Sequence, residues 1–165
     1  MIKLLRLDER LIHGQVAIKW SRHLNVDRII VANDAAAGNA VVQKSLMMAA
    51  PATAKVAIKT VDQVIEMMKN PKAADHDILM LVNNPADLIK MMDNLNPLPV
   101  CVDVGNYGRI AMKKTDGSAR VTYRRNLYLY PEEKEVLAKV LNYGVECIYQ
   151  TVPDEAAEPL DKVLG

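Results

Sequence analysis

The residues best suited to chemistry lie together near the amino end of the chain, in the segment RLDERLIHGQV at positions 6–16. An imidazole can act as a nucleophile toward phosphorus at neutral pH, because one ring nitrogen then carries an unshared electron pair. His13 supplies such a group, and Arg6 and Arg10 stand seven and three residues before it. Guanidinium groups donate paired hydrogen bonds to the non-bridging oxygens of a phosphoryl group. The segment therefore predicts a phosphoryl-transfer site.

The neighbours of His13 fit the same chemistry. Gly14 has no side chain to obstruct an approaching phosphate, and a helix predicted to begin at Gln15 would direct its free N–H groups at that anion. A carboxylate repels phosphate, so we expect Asp8 to orient the arginines or one imidazole tautomer. The alternative is that His13 is a hydrogen-bonded structural residue and that the Arg–Asp pairs are solvated.

Short apolar runs bounded by polar or turn residues predict the strands that must position this segment. In the first part of the chain these runs are Ile2–Leu7, Arg28–Ala32, Lys55–Ile58, Ile78–Val82 and Val100–Val104. Apolar spacing of 3.6 residues predicts helices within 61–68 and 85–95. Strand and helix in alternation predict an α/β fold: an open, mostly parallel twisted sheet with helices on both faces. Ligands bind outside the carboxyl ends of such strands, where the segment 6–16 leaves the first strand.

The second half of the chain departs from this rhythm. Residues 105–117 carry three glycines and predict a long loop or hairpin. A strand at 126–130, a helix from Pro131 to a stop at Gly144, and a last strand at 145–152 follow. Asp34 and Asn83, after the second and fourth strands, are candidates for lining the cleft or are turn residues.

Composition limits the functions open to the chain. Its 165 residues predict one domain, 1–165, and a formal net charge of +1 gives no overall footprint for nucleic acid. No apolar run approaches the ~20 residues that span a bilayer, and no signal peptide is evident, so a cytoplasmic location is expected. The three histidines and two cysteines lack the spacing of a metal site, and no nucleotide-binding motif occurs, so neither metal nor cofactor is expected.

The segment RLDERLIHGQV resembles the N-terminal signature of the IIB components in the mannose/fructose/sorbose family of the bacterial sugar phosphotransferase system. That signature is approximately R-[IV]-D-x-R-L-I-H-G-Q-V, and Leu7 is the one small departure from it. Looser resemblance continues through RIIVAND at 28–34, KSLMMAAP at 44–51, LMLVNNPAD at 79–87 and VDVGN at 102–106. The resemblance covers most of the chain.

This resemblance implies a phosphohistidine carrier. His13 would accept a phosphoryl group from a IIA protein and pass it to a sugar bound by the membrane components IIC and IID. Arg6, Asp8 and Arg10 would line the site, and Gly14-Gln15 would form its floor. The chain would be a cytoplasmic protein associated peripherally with the sugar permease. Which sugar is transported and whether the chain forms a homo-oligomer stay open, although exposed methionines on helix faces would indicate a subunit contact.

Two features set the sequence apart from that family or add to its pattern. Gly105-Asn106 stands where family members often carry Gly-Gly. A basic segment follows, with only Asp116 to oppose it, and we hypothesise that part of it steers an acidic partner. Its cations are Arg109, Lys113, Lys114, Arg120, Arg124 and Arg125.

Two other classes of protein and one other nucleophile compete with this interpretation. A non-catalytic regulatory or binding domain of flavodoxin-like shape would keep the sheet and need no nucleophilic histidine. A phosphohydrolase with a phosphohistidine intermediate would need a second histidine or acid to activate water, and none is evident. Cys101 is the rival nucleophile, but its predicted strand is buried on both faces, which disfavours the thiolate.

Overall fold

Nine strands and seven α-helices follow one another along residues 1–165, all of which the computed structural model describes. The strands are β1 Ile2–Asp8, β2 Arg28–Ala32, β3 Lys55–Lys59, β4 Ile78–Val82, β5 Cys101–Asn106, β6 Val121–Arg124, β7 Leu127–Leu129, β8 Glu146–Tyr149 and β9 Glu158–Pro159. The α-helices are α1 Gly14–Leu24, α2 Asp34–Ala37, α3 Ala40–Ala49, α4 Val61–Met68, α5 Pro85–Asn94, α6 Pro131–Ala138 and α7 Leu160–Leu164. The predicted α/β alternation is confirmed.

Seven strands form one sheet in the order β3-β2-β4-β1-β5-β8-β9. All neighbours in it are parallel except β8 and β9, which are antiparallel. The strand β1 lies between β4 and β5, so the segment that leaves its carboxyl end is close to the middle of the sheet. The predicted open, mostly parallel sheet is therefore confirmed.

Helices cover both faces of this sheet, and each face has its own hydrophobic core. Alternate residues of a strand point to opposite faces. On β1, Leu5 and Leu7 join the core beneath α4 and α5, whereas Leu4 joins the core that contains Trp20 of α1 and Leu46 of α3. Arg6 and Asp8 point to the same face of the sheet as Leu4, so two charged side chains lie on the face that α1 covers.

In the second half of the chain, the bounds of several observed elements differ from those predicted from the sequence. The strand predicted at 126–130 is the three-residue β7, which pairs antiparallel with β6 in a separate two-stranded sheet. The strand predicted at 145–152 ends at Tyr149, and the Gln150 N–H then donates to the Asp103 carboxylate, Oδ1, at 2.9 Å. The helix from Pro131 ends in a 3₁₀ turn, Lys139–Tyr143, before Gly144 at φ +73°. None of the helices has the length and apolar character needed to cross a bilayer.

Candidate active site

The loop between β1 and α1 is anchored by its own apolar residues. Leu11 and Ile12 are buried in the core on the side of α1, and Leu11 adopts φ +60°, a conformation that non-glycine residues rarely take. His13 follows as the residue that precedes the helix, and Gly14 has φ +48°. The two buried side chains thus hold His13 at the amino end of α1, where its side chain is 13% exposed.

Asp8 fixes the imidazole of His13. Its Oδ2 lies 2.9 Å from His13 Nε2. Its Oδ1 accepts hydrogen bonds from the Arg10 N–H at 3.0 Å and from Asn106 Nδ2 at 3.4 Å. Burial alone would raise the pKa of the Asp8 carboxyl, but the hydrogen bond from His13 and the charge of Arg6 outweigh it, so this pKa lies below its ordinary value. An ionised carboxylate only accepts hydrogen bonds, so Nε2 carries a proton, and in the neutral imidazole Nδ1 is then the nitrogen with the unshared electron pair.

Arg6 is enclosed between two carboxylates. One nitrogen of its guanidinium, Nη2, donates to Asp8 Oδ2 at 3.1 Å. The other, Nη1, donates to the Asp103 carboxylate and to the carbonyl of Gln150, the latter at 2.8 Å. The side chains of all three ionic residues are buried, with exposures of 1% for Arg6 and 0% for Asp8 and Asp103. The guanidinium nitrogens of Arg6 therefore donate to Asp8, Asp103 and the Gln150 carbonyl. The sequence suggested instead that they would donate to a phosphoryl group.

The close approach of Arg6 to β5 depends on Gly105. A Cβ atom at this position would lie 2.0 Å from Arg6 Cζ, well inside van der Waals contact. Asp103, two residues earlier on β5, was not among the site residues predicted from the sequence. A carboxylate between two valines of an apolar strand is unusual and could have indicated it. Burial raises the pKa of Asp103 to about 7, against the charge of Arg6 and its hydrogen bonds. Asp103, Arg6, Asp8 and His13 form one connected polar network.

A cleft of about 380 Å³ opens beside His13, at the carboxyl ends of β1 and β5. The chain leaves β1 toward β2 on one side of the sheet and leaves β5 toward β8 on the other, and ligands bind at such a switch point. Mostly polar residues line the cleft: Arg6, Glu9, Arg10, His13, Val16, Asn106, Arg109, Ile110, Asn126 and Thr151.

The structure brings together most of the predicted site. Arg10 is exposed at the cleft, and its guanidinium takes part in no ion pair or hydrogen bond. Gly14 and Gln15 open α1, whose amino end has no side-chain cap. Asp34 and Asn83 lie elsewhere.

The two outlying candidates have local structural partners. Asp34 Oδ1 accepts the Val61 N–H at 2.9 Å at the start of α4, and Asn83 Oδ1 accepts a hydrogen bond from Asn84 Nδ2 at 2.9 Å. Neither residue lines the cleft around His13. Asp34 begins α2, directly after β2, and Asn83 lies in the bend between β4 and α5, so local structure accounts for both positions.

The basic segment is mostly neutralised in the folded chain. Its nearest acidic residues come from α6 and from 155–158, which the sequence pattern did not place beside it. Four ion pairs result: Lys114–Glu132, Arg120–Glu133, Arg124–Glu158 and Arg125–Glu155. The expectation that only Asp116 opposes these cations is wrong, and Arg109 and Lys113 alone remain without an ion-pair partner.

A family model places the chain in a known family of transport components. The model for the sorbose-subfamily IIB component of the phosphotransferase system matches residues 2–165, so the chain belongs to that family. IIB components are phosphotransferases that act in sugar uptake, and the resemblance stated from the sequence is confirmed.

Relatives and solved structures agree with this assignment. A probable phosphotransferase enzyme IIB component of Streptococcus pyogenes is 38% identical over 166 residues, which cover 100% of both chains. The sorbose-specific EIIB component of Klebsiella pneumoniae is 30% identical and is covered to 94%, with 98% of this chain matched. The crystal structure of the IIBSor domain of the K. pneumoniae sorbose permease superposes with a TM-score of 0.87 at 26% identity, covering 99% of this chain and 96% of that one.

Proposed function

We propose that His13 accepts a phosphoryl group from a phosphorylated IIA protein and donates it to a sugar during uptake. The observation that carries this proposal is the Asp8–His13 contact of 2.9 Å, which presents an oriented imidazole at a polar cleft. Arg10 and the uncapped amino end of α1 lie at the same cleft and supply the donors that an incoming anion requires.

The transfer step follows from the tautomer of His13 in which Nε2 carries the proton. The electron pair on Nδ1 attacks phosphorus, the bond from phosphorus to the donor's histidine nitrogen breaks, and its electron pair returns to the donor. His13 gains positive charge as the new bond forms. The Asp8 carboxylate stabilises that charge through Nε2–H, and Arg6 holds Asp8 in place. A sugar hydroxyl then attacks phosphorus, the bond from phosphorus to Nδ1 breaks, and its electron pair returns to His13, which leaves as a neutral imidazole. The hydroxyl proton passes to water.

This geometry predicts which ring nitrogen carries the phosphate. Because Asp8 occupies Nε2, the phosphoryl group should be attached to Nδ1 of His13. Nitrogen-15 labelling of histidine in the phosphorylated protein, followed by NMR of the ring nitrogens coupled to phosphorus, measures the site of attachment. The unphosphorylated protein is the reference, and phosphate on Nε2 would contradict the orientation of the imidazole.

Arg10 is predicted to bind the phosphoryl oxygens with two donors at once. Arg10→Lys keeps the charge and loses the planar fork, so we expect the transfer rate to fall about tenfold or more, roughly 1.4 kcal/mol. Single-turnover transfer from the phosphorylated donor measures this. Arg22→Lys, at the exposed far end of α1, is the matched control and should leave the rate unchanged. An Arg10→Lys variant with the parental rate would contradict a bidentate role.

The partners and location follow from the same proposal. A IIA protein is the phosphodonor, and the membrane components IIC and IID hold the sugar that receives the phosphate. The whole chain, 1–165, acts as one IIB domain in the cytoplasm, associated peripherally with the permease. No nucleic acid, metal or cofactor takes part in the proposed step.

The homo-oligomer considered from the sequence stays a prediction. Exposed methionines were expected to indicate a subunit contact, and among the helical methionines Met47 and Met48 of α3 are exposed, at 56% and 78%. Met91 and Met92 are buried in the core.

Incubation with a phosphorylated IIA protein tests the proposed function. A carrier accumulates as a phosphoprotein and passes its label to sugar when membranes containing the permease are added. A non-catalytic domain would take up no label, and a phosphohydrolase would release phosphate steadily. Either of those outcomes would contradict the carrier function.

A further inference from the structure

Glu9 binds a loop that lies far from it in sequence. Its Oε2 accepts the backbone N–H groups of Gly108, Arg109 and Ile110 at 3.0, 3.1 and 3.4 Å. The Glu9 N–H also donates to the carbonyl of Asn106 at 2.8 Å. The loop after β5, residues 107–110, is thereby fixed to the loop that carries His13.

The other side of this loop is fixed by the β6–β7 hairpin. Gly108 has φ +101°, and a Cβ atom there would lie 1.9 Å from the carbonyl oxygen of Tyr128. The N–H of Tyr107 donates to the carbonyl of Asn126 at 2.8 Å. Only glycine fits at position 108, so the path of the loop between the active-site segment and the hairpin is closely determined.

This arrangement leaves cationic and apolar groups at the mouth of the cleft. Arg109 donates to the carbonyl of Arg125 at 2.7 Å and lies over the ring of Tyr128, but no carboxylate pairs with it. Ile110 is 62% exposed, and Arg10 is also unpaired. The charge of Glu9, the one acidic residue in the lining, is directed at backbone N–H groups. We call Arg10, Arg109 and Ile110 the cleft rim.

We propose that the cleft rim is the docking surface for the phosphohistidine-bearing face of the donor protein, with Arg109 as a docking residue. This rests on the proposed function. Arg10 complements the doubly negative phosphoryl group, and the unpaired guanidinium of Arg109 complements the donor surface around that group, whereas a neutral sugar gives neither arginine a counter-charge. The cleft of about 380 Å³ also exceeds what one phosphoryl group fills, since four heavy atoms take no more room than four water molecules, roughly 120 Å³. The remaining space receives part of the donor.

Transfer kinetics from phosphorylated IIA, measured against the concentration of this chain, test the assignment. Arg109→Gln should raise KM about tenfold, the loss expected for a hydrogen bond to a charged group, and leave kcat within about twofold. Arg125→Gln is the matched control, because it removes the same charge from a neighbouring residue that is 71% exposed and outside the cleft lining. Its KM should equal the parental value. An unchanged KM in Arg109→Gln would overturn the proposal.

Variants of Glu9 test whether the position of Arg109 matters as well as its charge. Glu9→Ala removes the acceptor for the three N–H groups and should raise KM although Arg109 is still present. Glu9→Gln retains an oxygen acceptor and should restore most of the loss. Equal KM values in both variants and the parent would contradict the positioning role of Glu9.

A small-molecule donor separates docking from the chemistry of His13. With phosphoramidate, the phosphorus–nitrogen bond breaks, ammonia leaves, and the phosphoryl group passes to Nδ1 without a protein surface. Arg109→Gln should then be labelled at the parental rate, and an equal loss with both donors would overturn docking in favour of direct phosphoryl binding. A parental chain labelled by neither donor would overturn the proposed function itself.

Discussion

Replacing His13 by alanine should abolish phosphoryl transfer but leave the protein folded, with a loss of about 1–3 kcal/mol of unfolding free energy because the buried Asp8 carboxylate loses one hydrogen-bond partner. The imidazole is the nucleophile, but it lies at the edge of the cleft, and the neighbouring Leu11 and Ile12 supply the buried contacts of the loop. Transfer from phosphorylated IIA and thermal unfolding by circular dichroism measure the two quantities. A variant that transfers at nearly the parental rate would exclude His13 as the carrier.

The chemical stability of the label distinguishes His13 from the rival thiol. A phosphoramidate on histidine is lost in mild acid and persists in base, so we expect an acid-labile, base-stable label that disappears in His13→Ala and persists in Cys101→Ser. Cys101 begins β5, and Asn106 at the other end of that strand lines the cleft, about 16 Å away along the strand. Burial raises the pKa of the Cys101 thiol to about 12, with Glu146 contributing. Label that survives acid, or is lost with Cys101, would contradict this mechanism.

Replacing Gly105 by alanine should cost about 3–5 kcal/mol of unfolding free energy, the range for breaking a buried ion pair. The new Cβ would lie 2.0 Å from Arg6 Cζ, so the guanidinium would have to leave its site. Asp8 and Asp103 would then be buried without their shared cation. Transfer should fall as well, because Asp8 would lose the partner that holds it beside His13.

Urea denaturation gives the unfolding free energy of this variant, and Gly38→Ala provides the control. A Cβ atom at Gly38 would meet its nearest neighbour, the Asp34 carbonyl oxygen, at 3.6 Å, an ordinary contact. Its stability should therefore stay within about 0.5 kcal/mol of the parent. A Gly105→Ala protein equally close to the parent would show that Arg6 can adopt another position at little cost.

The sequence by itself determined the class of fold and the identity of the proposed nucleophile. Buried parallel strands require continuous apolar runs, and helices between them require apolar residues at 3.6-residue spacing, so both elements are encoded locally. The strands Arg28–Ala32 and Ile78–Val82 were predicted with the bounds that the structure has. His13, Asp8 and Arg10 are close in sequence, and a short loop after a strand keeps them close in space.

Only the tertiary structure decided what each charged residue does. Arg6 and Arg10 have the same chemistry and both precede His13, yet Arg6 is buried against Asp103, which lies 97 positions away, while Arg10 is exposed. Because side chains alternate along β1, Arg6 points to the buried face that α1 covers. The pairing of β1 with β5 places Asp103 beside it. Glu9 likewise meets Gly108, 99 positions away, only after that pairing forms. Such contacts depend on strand register, and no local sequence pattern encodes register between distant segments.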